Sequence, residues 1–165
     1  MTTTRGIVQI HSAPSALCPH IEWAIGGVLG APVHLSWAPQ PAERGAYRTE
    51  LAWSGLAGAS ADIASAMKRW ARVRFEVTEE ASARCEASRY SYTPSLGVFH
   101  AQVGAHGDVL VPEERLRNAL LTTAGDPGAL RAAVDALLGT AWDAELEIFR
   151  QAGDGVPVRW LNRVG

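Results

Sequence analysis

The order of hydrophobic periodicities in the first half of the chain is the feature that most constrains its fold. Apolar residues alternate with polar ones where a strand is expected, and recur every three to four residues where a helix is expected. Four segments of the first kind and two of the second follow one another: strand 5–12, helix 15–29, strand 32–39, strand 46–54, helix 58–70 and strand 72–78. The chain therefore begins with the order β-α-β-β-α-β.

This order predicts a ferredoxin-like half, in which both helices cover one face of a sheet and the first and third strands lie centrally. The opposite face is predicted to be polar and charged. It is available to water, to a partner or to the second half of the chain. Its residues are Arg5, Ile7, Gln9, His11, His34, Ser36, Arg48, Glu50, Arg72, Arg74 and Glu76.

The second half opens with a predicted β-hairpin. Two strand-like segments flank PSLG, a four-residue loop ending in glycine that suits a type I turn. That loop pairs Thr93 with Val98 and Tyr92 with Phe99. It also gives the hairpin a polar face, which is a secondary candidate pocket although an exposed antiparallel face is usually just polar. The residues of that face are Arg89, Ser91, His100 and Gln102.

Three helices are predicted after the hairpin. They begin at Pro112, at Asp126-Pro127 and at Thr140, and Gly139 ends the second of them. The tail GDGVPVRWLNRVG is predicted to be a turn and an edge strand, with Trp160 as an interface anchor. The fold class is α+β: a ferredoxin-like βαββαβ half, then a hairpin and C-terminal helices packed with it. We expect one domain over 1–165, with 1–80 and 85–165 as its candidate sub-divisions.

Charge and composition exclude several classes of partner. Fifteen basic and seventeen acidic residues give a net charge of −2, whereas nucleic-acid and anionic-membrane binding usually needs a broad basic surface. The segment KRWARVR (68–74) is interpreted as solvated charges around a core tryptophan, Trp70. The sequence has no apolar leader and no run long enough to span a bilayer, so a cytoplasmic location is expected. Cys18 and Cys85 are then expected to be free thiols.

The main candidate site lies where the first strand meets the first helix. His11, Cys18 and His20 lack the paired spacing of zinc ligands, and a nucleophilic Cys–His pair would need His11 to reach Cys18 across the turn. Burial of Cys18 in the core is favoured, because cysteine is among the most buried residue types. An anion at the free amides of the helix start is the remaining hypothesis, with His11, Ser12, Ser15 and His20 as candidates. The alternative is that Ser15 only caps the helix.

Long segments of the chain resemble a known family. They are TRGIVQIHSAPSALCPHIEWAIGGVLG (4–30), RTELAWSG (48–55) and SRYSYTPSLGVFHAQVGAHGDVLVPEERLR (88–117). These segments are similar to domain-of-unknown-function family 3145, and the likeness covers essentially the whole chain. The resemblance implies a small actinobacterial protein without an assigned activity, encoded in some members beside type II fatty-acid synthesis genes. It supplies no catalytic residues.

These observations predict a non-enzymatic accessory or binding protein, associated with fatty-acid or acyl-carrier metabolism. We expect the chain to bind a protein partner or to self-associate. We do not expect it to bind nucleic acid or a membrane. No cofactor, metal or catalytic residue is predicted, because no phosphate loop, dinucleotide fingerprint, nucleophile elbow or zinc-protease motif occurs. The alternative is a small enzyme acting on an acyl, phosphate or thioester group near His11, Cys18 and His20.

Overall fold

The computed structural model describes residues 1–152, and residues 153–165 lie outside the described part. Within residues 1–152 the strands are β1 (Thr3–Pro14), β2 (Ala38–Pro39), β3 (Ala46–Leu56), β4 (Arg74–Glu79), β5 (Ser88–Thr93), β6 (Gly97–Val103) and β7 (Val109–Leu110). The helices are α1 (Cys18–Leu29), α2 (Ala59–Met67), α3 (Glu113–Thr122), α4 (Pro127–Leu138) and α5 (Thr140–Ala152).

The strands form one antiparallel sheet in the order β2-β3-β1-β4-β5-β6-β7. The first four positions of that order place β1 and β3 between β2 and β4, as the ferredoxin-like pattern predicts. The hairpin then extends the same sheet from β4. The predicted α+β class is confirmed, and the hairpin continues the sheet of the first half.

The main core lies between this sheet and the helices α1 and α2. Val8 and Ile10 of β1 alternate with Gln9 and His11, and they are almost completely buried. Across the layer they meet apolar residues that recur at helical spacing, which is why the two helices bury one face each. The fully buried helix residues are Ile21, Ile25, Ile63 and Met67.

Helix α1 begins later than predicted. Residues Ser15–Leu17 form a 3-10 turn, and the α-helix starts at Cys18 with Pro19 in its first turn, where a missing N–H costs nothing. Ser15 makes no capping hydrogen bond to the helix start. The predicted end is confirmed: Gly30 stops the helix with a φ of 74°.

Two other predicted elements are too long. Only Ala38–Pro39 of the strand predicted at 32–39 pairs with β3. Glu22 of α1 explains the loss, since its carboxylate accepts hydrogen bonds from the Leu35 amide and from Trp37 Nε1, so the segment before β2 is bound to the helix. Helix α2 covers Ala59–Met67 instead of 58–70.

The hairpin register differs from the prediction by one residue. Thr93 pairs with Gly97 and Tyr92 with Val98, because Gly97 enters β6 with a φ of 76° and leaves three residues in the loop. A shift of one residue moves every side chain of a strand to the other face. Phe99 and Ala101 therefore lie on the face of Arg89 and Ser91, while the side chains of β6 between them lie on the face of Tyr90.

Helix α5 covers part of the face opposite α1 and α2, which is called the second face below. Leu146 of α5 is completely buried, and Trp142 packs on Phe99 with ring centroids 5.3 Å apart while its Nε1 donates to the Gly97 carbonyl. The predicted polar face is thus covered in part by the second half of the chain. Four residues, 123–126, connect α3 to α4, so these two helices follow each other closely.

The C-terminal helix boundaries follow the predicted signals. Pro112 precedes α3, Asp126 caps α4 by accepting from the Ala129 amide, and Gly139 ends α4 with a φ of 72°. No helix within residues 1–152 is long and apolar enough to cross a membrane. The predicted edge strand and Trp160 lie outside the described residues.

Candidate functional site

A buried charged network joins the second face of the sheet to helix α5. Glu76 of β4 is at its centre, with a side chain that has no exposed surface. His11 Nε2 lies 2.7 Å from Glu76 Oε2, and Ser91 Oγ donates to Oε1 over 3.2 Å. Arg150 donates two hydrogen bonds to Glu76, from Nε to Oε2 over 3.1 Å and from Nη2 to Oε1 over 2.5 Å. We call these four residues the Glu76 network.

The network stabilises the charged form of its carboxylate. Burial alone would raise the pKa of Glu76, but the hydrogen bond and charge of His11, together with Arg150, lower this pKa to about 2. Burial alone would likewise lower the pKa of Arg150, yet Glu76 and Asp143 raise it. Glu76 is therefore an anion with all its partners in place, and it has no role as a proton donor near neutral pH.

A second group of polar contacts surrounds the end of β1. Ser12 Oγ and Arg74 both donate to Glu43, and the Arg74 guanidinium lies 4.6 Å from the centre of the Phe149 ring. Gln40 Nε2 donates to the His11 carbonyl over 2.7 Å and to the Phe149 carbonyl over 3.3 Å. These contacts hold the loop before β3, the end of β1 and the last turns of α5 together.

A polar cavity of about 320 Å³ opens beside the network. Gln9 is 8% exposed, and its Nε2 donates to Glu50 over 2.9 Å. Its Oε1 is buried and has no hydrogen-bond partner among residues 1–152. A buried acceptor without a donor is costly, and none of the described residues supplies a donor for this atom. The lining residues are Gln9, Ile10, His11, Ser36, Ala38, Gln40, Arg48, Thr49, Glu50, Phe149 and Arg150.

The structure separates the residues of the predicted anion site. His11 and Ser12 are buried and hydrogen-bond to the carboxylates of Glu76 and Glu43. Ser15 and His20 are exposed, one in the 3-10 turn and the other in the first turn of α1. No hydrogen bond joins these two pairs among the described residues. Anion binding at the helix start stays a prediction, with Ser15 and His20 as the residues placed for it.

The secondary polar face is also divided, because the predicted register was wrong. Arg89 and Ser91 are buried on the second face, and burial lowers the pKa of Arg89. His100 and Gln102 are exposed and belong to the face of Tyr90, on which the His100 ring stacks with a centroid distance of 4.4 Å. The four residues therefore do not form one pocket.

Cys18 does not pair with His11. Its Sγ lies 3.6 Å from the Pro14 carbonyl oxygen, to which it donates, and burial raises the pKa of the thiol. A raised pKa keeps the sulfur protonated and poorly nucleophilic at neutral pH. His11 instead forms a hydrogen bond with Glu76. Among residues 1–152 no group of three or more His, Cys, Asp or Glu side chains is placed to hold a metal ion.

Sequence reasoning missed the residues that the C-terminal half and the loops bring to the site. Arg150 and Phe149 come from α5, and Gln40 and Glu43 from the loop before β3. The sequence carries only an indirect signal for them. A sheet face with a glutamate and a histidine can be buried only if other residues supply a positive charge or hydrogen bonds to these side chains.

The fold and site define a class of α+β proteins with helices on both faces of an extended ferredoxin-like sheet and a buried ionic network under the last helix. The chain belongs to the family described as Protein of unknown function (DUF3145), whose model matches residues 7–163. The predicted family is thereby confirmed. No curated protein and no solved structure gives a significant match to the chain.

Proposed function

We propose that this protein is a non-enzymatic accessory protein that binds a protein partner at the end of the sheet where β1 finishes. The observation that carries the proposal is the cavity beside the Glu76 network, which is lined in part by Gln9, a residue whose Oε1 is buried without a hydrogen-bond partner among residues 1–152. The volume is at the lower end of the range for small-molecule pockets, and suits one polar side chain of a partner. That side chain would form hydrogen bonds with the polar residues that line the cavity.

The contacts of the ionisable groups favour binding over catalysis. A general acid or base must be able to reach a substrate with a proton to give or accept. Glu76 is instead saturated by His11, Arg150 and Ser91, and no side-chain surface of it is exposed. Cys18 has a raised pKa, so a thiolate nucleophile is not supported either. The enzyme alternative has no observation in its favour.

The family resemblance supplies the finer part of the proposal. It implies an actinobacterial protein acting with fatty-acid or acyl-carrier machinery, and the arginine-rich composition, with one lysine among fifteen basic residues, agrees with a GC-rich genome. We propose a component of that machinery as the partner. The cytoplasmic location stays a prediction from the sequence.

The test is affinity capture of the tagged protein from its own cells, with mass spectrometry of what is retained. Ala38 lines the cavity and is half-buried, so Ala38→Trp fills the cavity from its rim. Ala132 is exposed on α4, and Ala132→Trp is the matched control. Both variants are first checked for unchanged circular dichroism and thermal unfolding.

We expect one partner protein in stoichiometric amount with the unmodified chain and with Ala132→Trp, and its loss with Ala38→Trp. Equal recovery with all three chains would mean that the cavity holds only water and is not the binding site. Recovery of no partner with the unmodified chain would refute the accessory function. A stoichiometric partner from outside fatty-acid metabolism would refute only the finer assignment.

A further inference from the structure

A cluster of exposed cations lies at the same end of the sheet as the cavity. Its members are Arg44, Lys68, Arg69 and Arg72, all exposed, and they are called the basic edge below. None of the four forms an ion pair with a carboxylate among residues 1–152. Arg69 does make two other contacts: its Nε donates to the Ala66 carbonyl, and its guanidinium lies 5.1 Å from the centre of the Trp70 ring.

The backbone explains why these cations are neighbours. Arg44 follows Glu43, and Glu43 contacts both Ser12 at the end of β1 and Arg74 at the start of β4. Arg72 lies two residues before Arg74, in the connection between α2 and β4 that also carries the other two members of the basic edge. The loop before β3 and this connection are therefore side by side. Gln40, at the start of that loop, lines the cavity.

The basic edge is a local excess of positive charge in a protein with a net charge of −2. Three other arginines have carboxylate partners: Arg5 pairs with Glu80, Arg117 with Glu113 and Arg150 with Glu76. Two carboxylates lie near the basic edge: Glu43 is engaged by Ser12 and Arg74, and Glu145 by Arg74, Thr93 and Ser95. Four positive charges there face solvent without local compensation.

Helix electrostatics account for only half of the cluster. Cations near a helix C-terminus are favourable, and this explains Lys68 and Arg69, which directly follow α2. It does not explain Arg44, which lies in the loop before β3, or Arg72, which is further along the connection. Placing two more cations beside the first two costs repulsion that an anionic partner would relieve.

We propose that the basic edge binds an acidic segment of the partner protein, next to the cavity. This inference rests on the proposed function, because it names the charge of the partner that the cavity recognises. A protein is favoured over nucleic acid, because the negative net charge of the chain repels a long polyanion while a local patch attracts a few carboxylates. Arginine is also among the side chains that most often dominate protein interfaces.

The test compares binding of two fluorescent probes, a short polyglutamate peptide and a single-stranded DNA oligonucleotide, by anisotropy. The edge variant is Arg44→Glu/Arg72→Glu. The matched control is Arg84→Glu/Arg131→Glu, which reverses two exposed arginines elsewhere and leaves the same net charge. Binding of both probes is measured at about 50 mM and about 200 mM salt, because exposed charge pairs are screened over this range.

We expect the unmodified chain to bind polyglutamate, with affinity falling about tenfold or more in the edge variant and less than about twofold in the control. Equal losses in both variants, or no binding of polyglutamate at the lower salt, would overturn the proposal. Tighter binding of DNA than of polyglutamate, lost in the edge variant, would overturn the choice of a protein partner.

The two proposals fail in different experiments. If Ala38→Trp loses the captured partner while the edge variant retains it in full, the basic edge is refuted and the accessory function stands. If polyglutamate binding maps to the basic edge but no partner protein is captured, the accessory function is refuted, and the partner assignment of the basic edge falls with it.

Discussion

Arg150 of α5 and Glu76 of β4 lie 74 positions apart in the sequence and are joined by two hydrogen bonds in a buried setting. Their side chains are 7% and 0% exposed. The contact fixes the last described helix over the second face of the sheet, where His11 and Ser91 complete the shell around the carboxylate. The stability of the sheet and the position of α5 are therefore coupled through this buried ion pair.

Replacing Glu76 by Gln should destabilise the protein strongly. The variant keeps the shape of the side chain but leaves Arg150 without its main buried counter-charge, and breaking a buried pair costs about 3–5 kcal/mol. Urea unfolding at neutral pH, followed by tryptophan fluorescence, measures the free energy of unfolding. Glu80→Gln is the control, because Glu80 and its partner Arg5 are exposed and should contribute little. Equal effects of the two substitutions would contradict a central role for the network.

The same carboxylate sets a dependence of stability on acid pH. The pKa of Glu76 is lowered to about 2 in the folded protein from an ordinary value of 4.5. A group with a depressed folded pKa stabilises the fold above its unfolded pKa, and the stabilisation is lost as the pH falls from about 4.5 towards 2. The loss should amount to about 3 kcal/mol. Urea unfolding at several pH values gives the free energy of unfolding of the native chain and of Glu76→Gln. The difference between these two free energies should narrow as the pH falls through this window. A difference that stays constant with pH would contradict the assignment.

The sequence predicts β1 and β4 well because the apolar residues of each strand lie on one face. Val8, Ile10, Phe75 and Val77 alternate strictly, and alternation fixes both the strand and its orientation. The predicted hairpin register is wrong by one residue because both faces of the hairpin are partly covered. Phe99 packs on Trp142 of α5 while Tyr92 stacks on Phe75, so the apolar residues that the pattern assigns to one face lie on opposite faces.

The candidate site was predictable only on the side that the strands provide. His11 and the polar face follow from the periodicity of β1 and β4. Arg150, Gln40 and Phe149 do not, because their places depend on how α5 and a loop pack on the sheet, which no local pattern encodes. The length of the strand before β3 was overestimated for a similar reason, since Glu22 of α1 competes for its backbone.

Gly6 should tolerate no side chain. It lies in β1 between β3 and β4, and an added Cβ would overlap the carbonyl oxygen of Thr78 and come within 2.8 Å of the Trp53 ring. Because the obstacle is backbone, Gly6→Ala should cost about 3 kcal/mol. Gly27, inside α1, has no atom within 4 Å of such a Cβ, and Gly27→Ala should stabilise the protein by about 0.5–1 kcal/mol. Thermal unfolding of both variants checks the opposite signs; the same sign for both would refute the packing described.

Gly139 should be as sensitive to substitution as Gly6. Two effects contribute, its backbone conformation and its close packing, and a comparison with Gly30 separates them. The φ of 72° at Gly139 disfavours any other residue, and a Cβ there would lie 2.6 Å from the Phe99 ring. Gly139→Ala should cost about 3 kcal/mol, the sum of the left-handed backbone term and overpacking. Gly30 has a φ of 74° with open space around it, so Gly30→Ala should cost only the backbone term of about 1 kcal/mol. Urea unfolding of the two variants should give clearly different losses. Equal losses would mean that Gly139 does not lie against the Phe99 ring as described.

The two cysteines should differ in reactivity, and the difference separates a binding protein from a thiol enzyme. Cys85 is exposed, whereas Cys18 is 9% exposed, donates to the Pro14 carbonyl and has a raised pKa. Alkylation requires the thiolate, so the native protein at neutral pH should lose one thiol quickly and keep the other. Iodoacetamide labelling followed by intact-mass measurement gives both rates, and Cys85→Ser should abolish the fast phase. In urea the second thiol should react as well, since unfolding exposes it. A fast phase that persists in Cys85→Ser would show an activated Cys18, and would return the enzyme alternative to consideration in place of the accessory function.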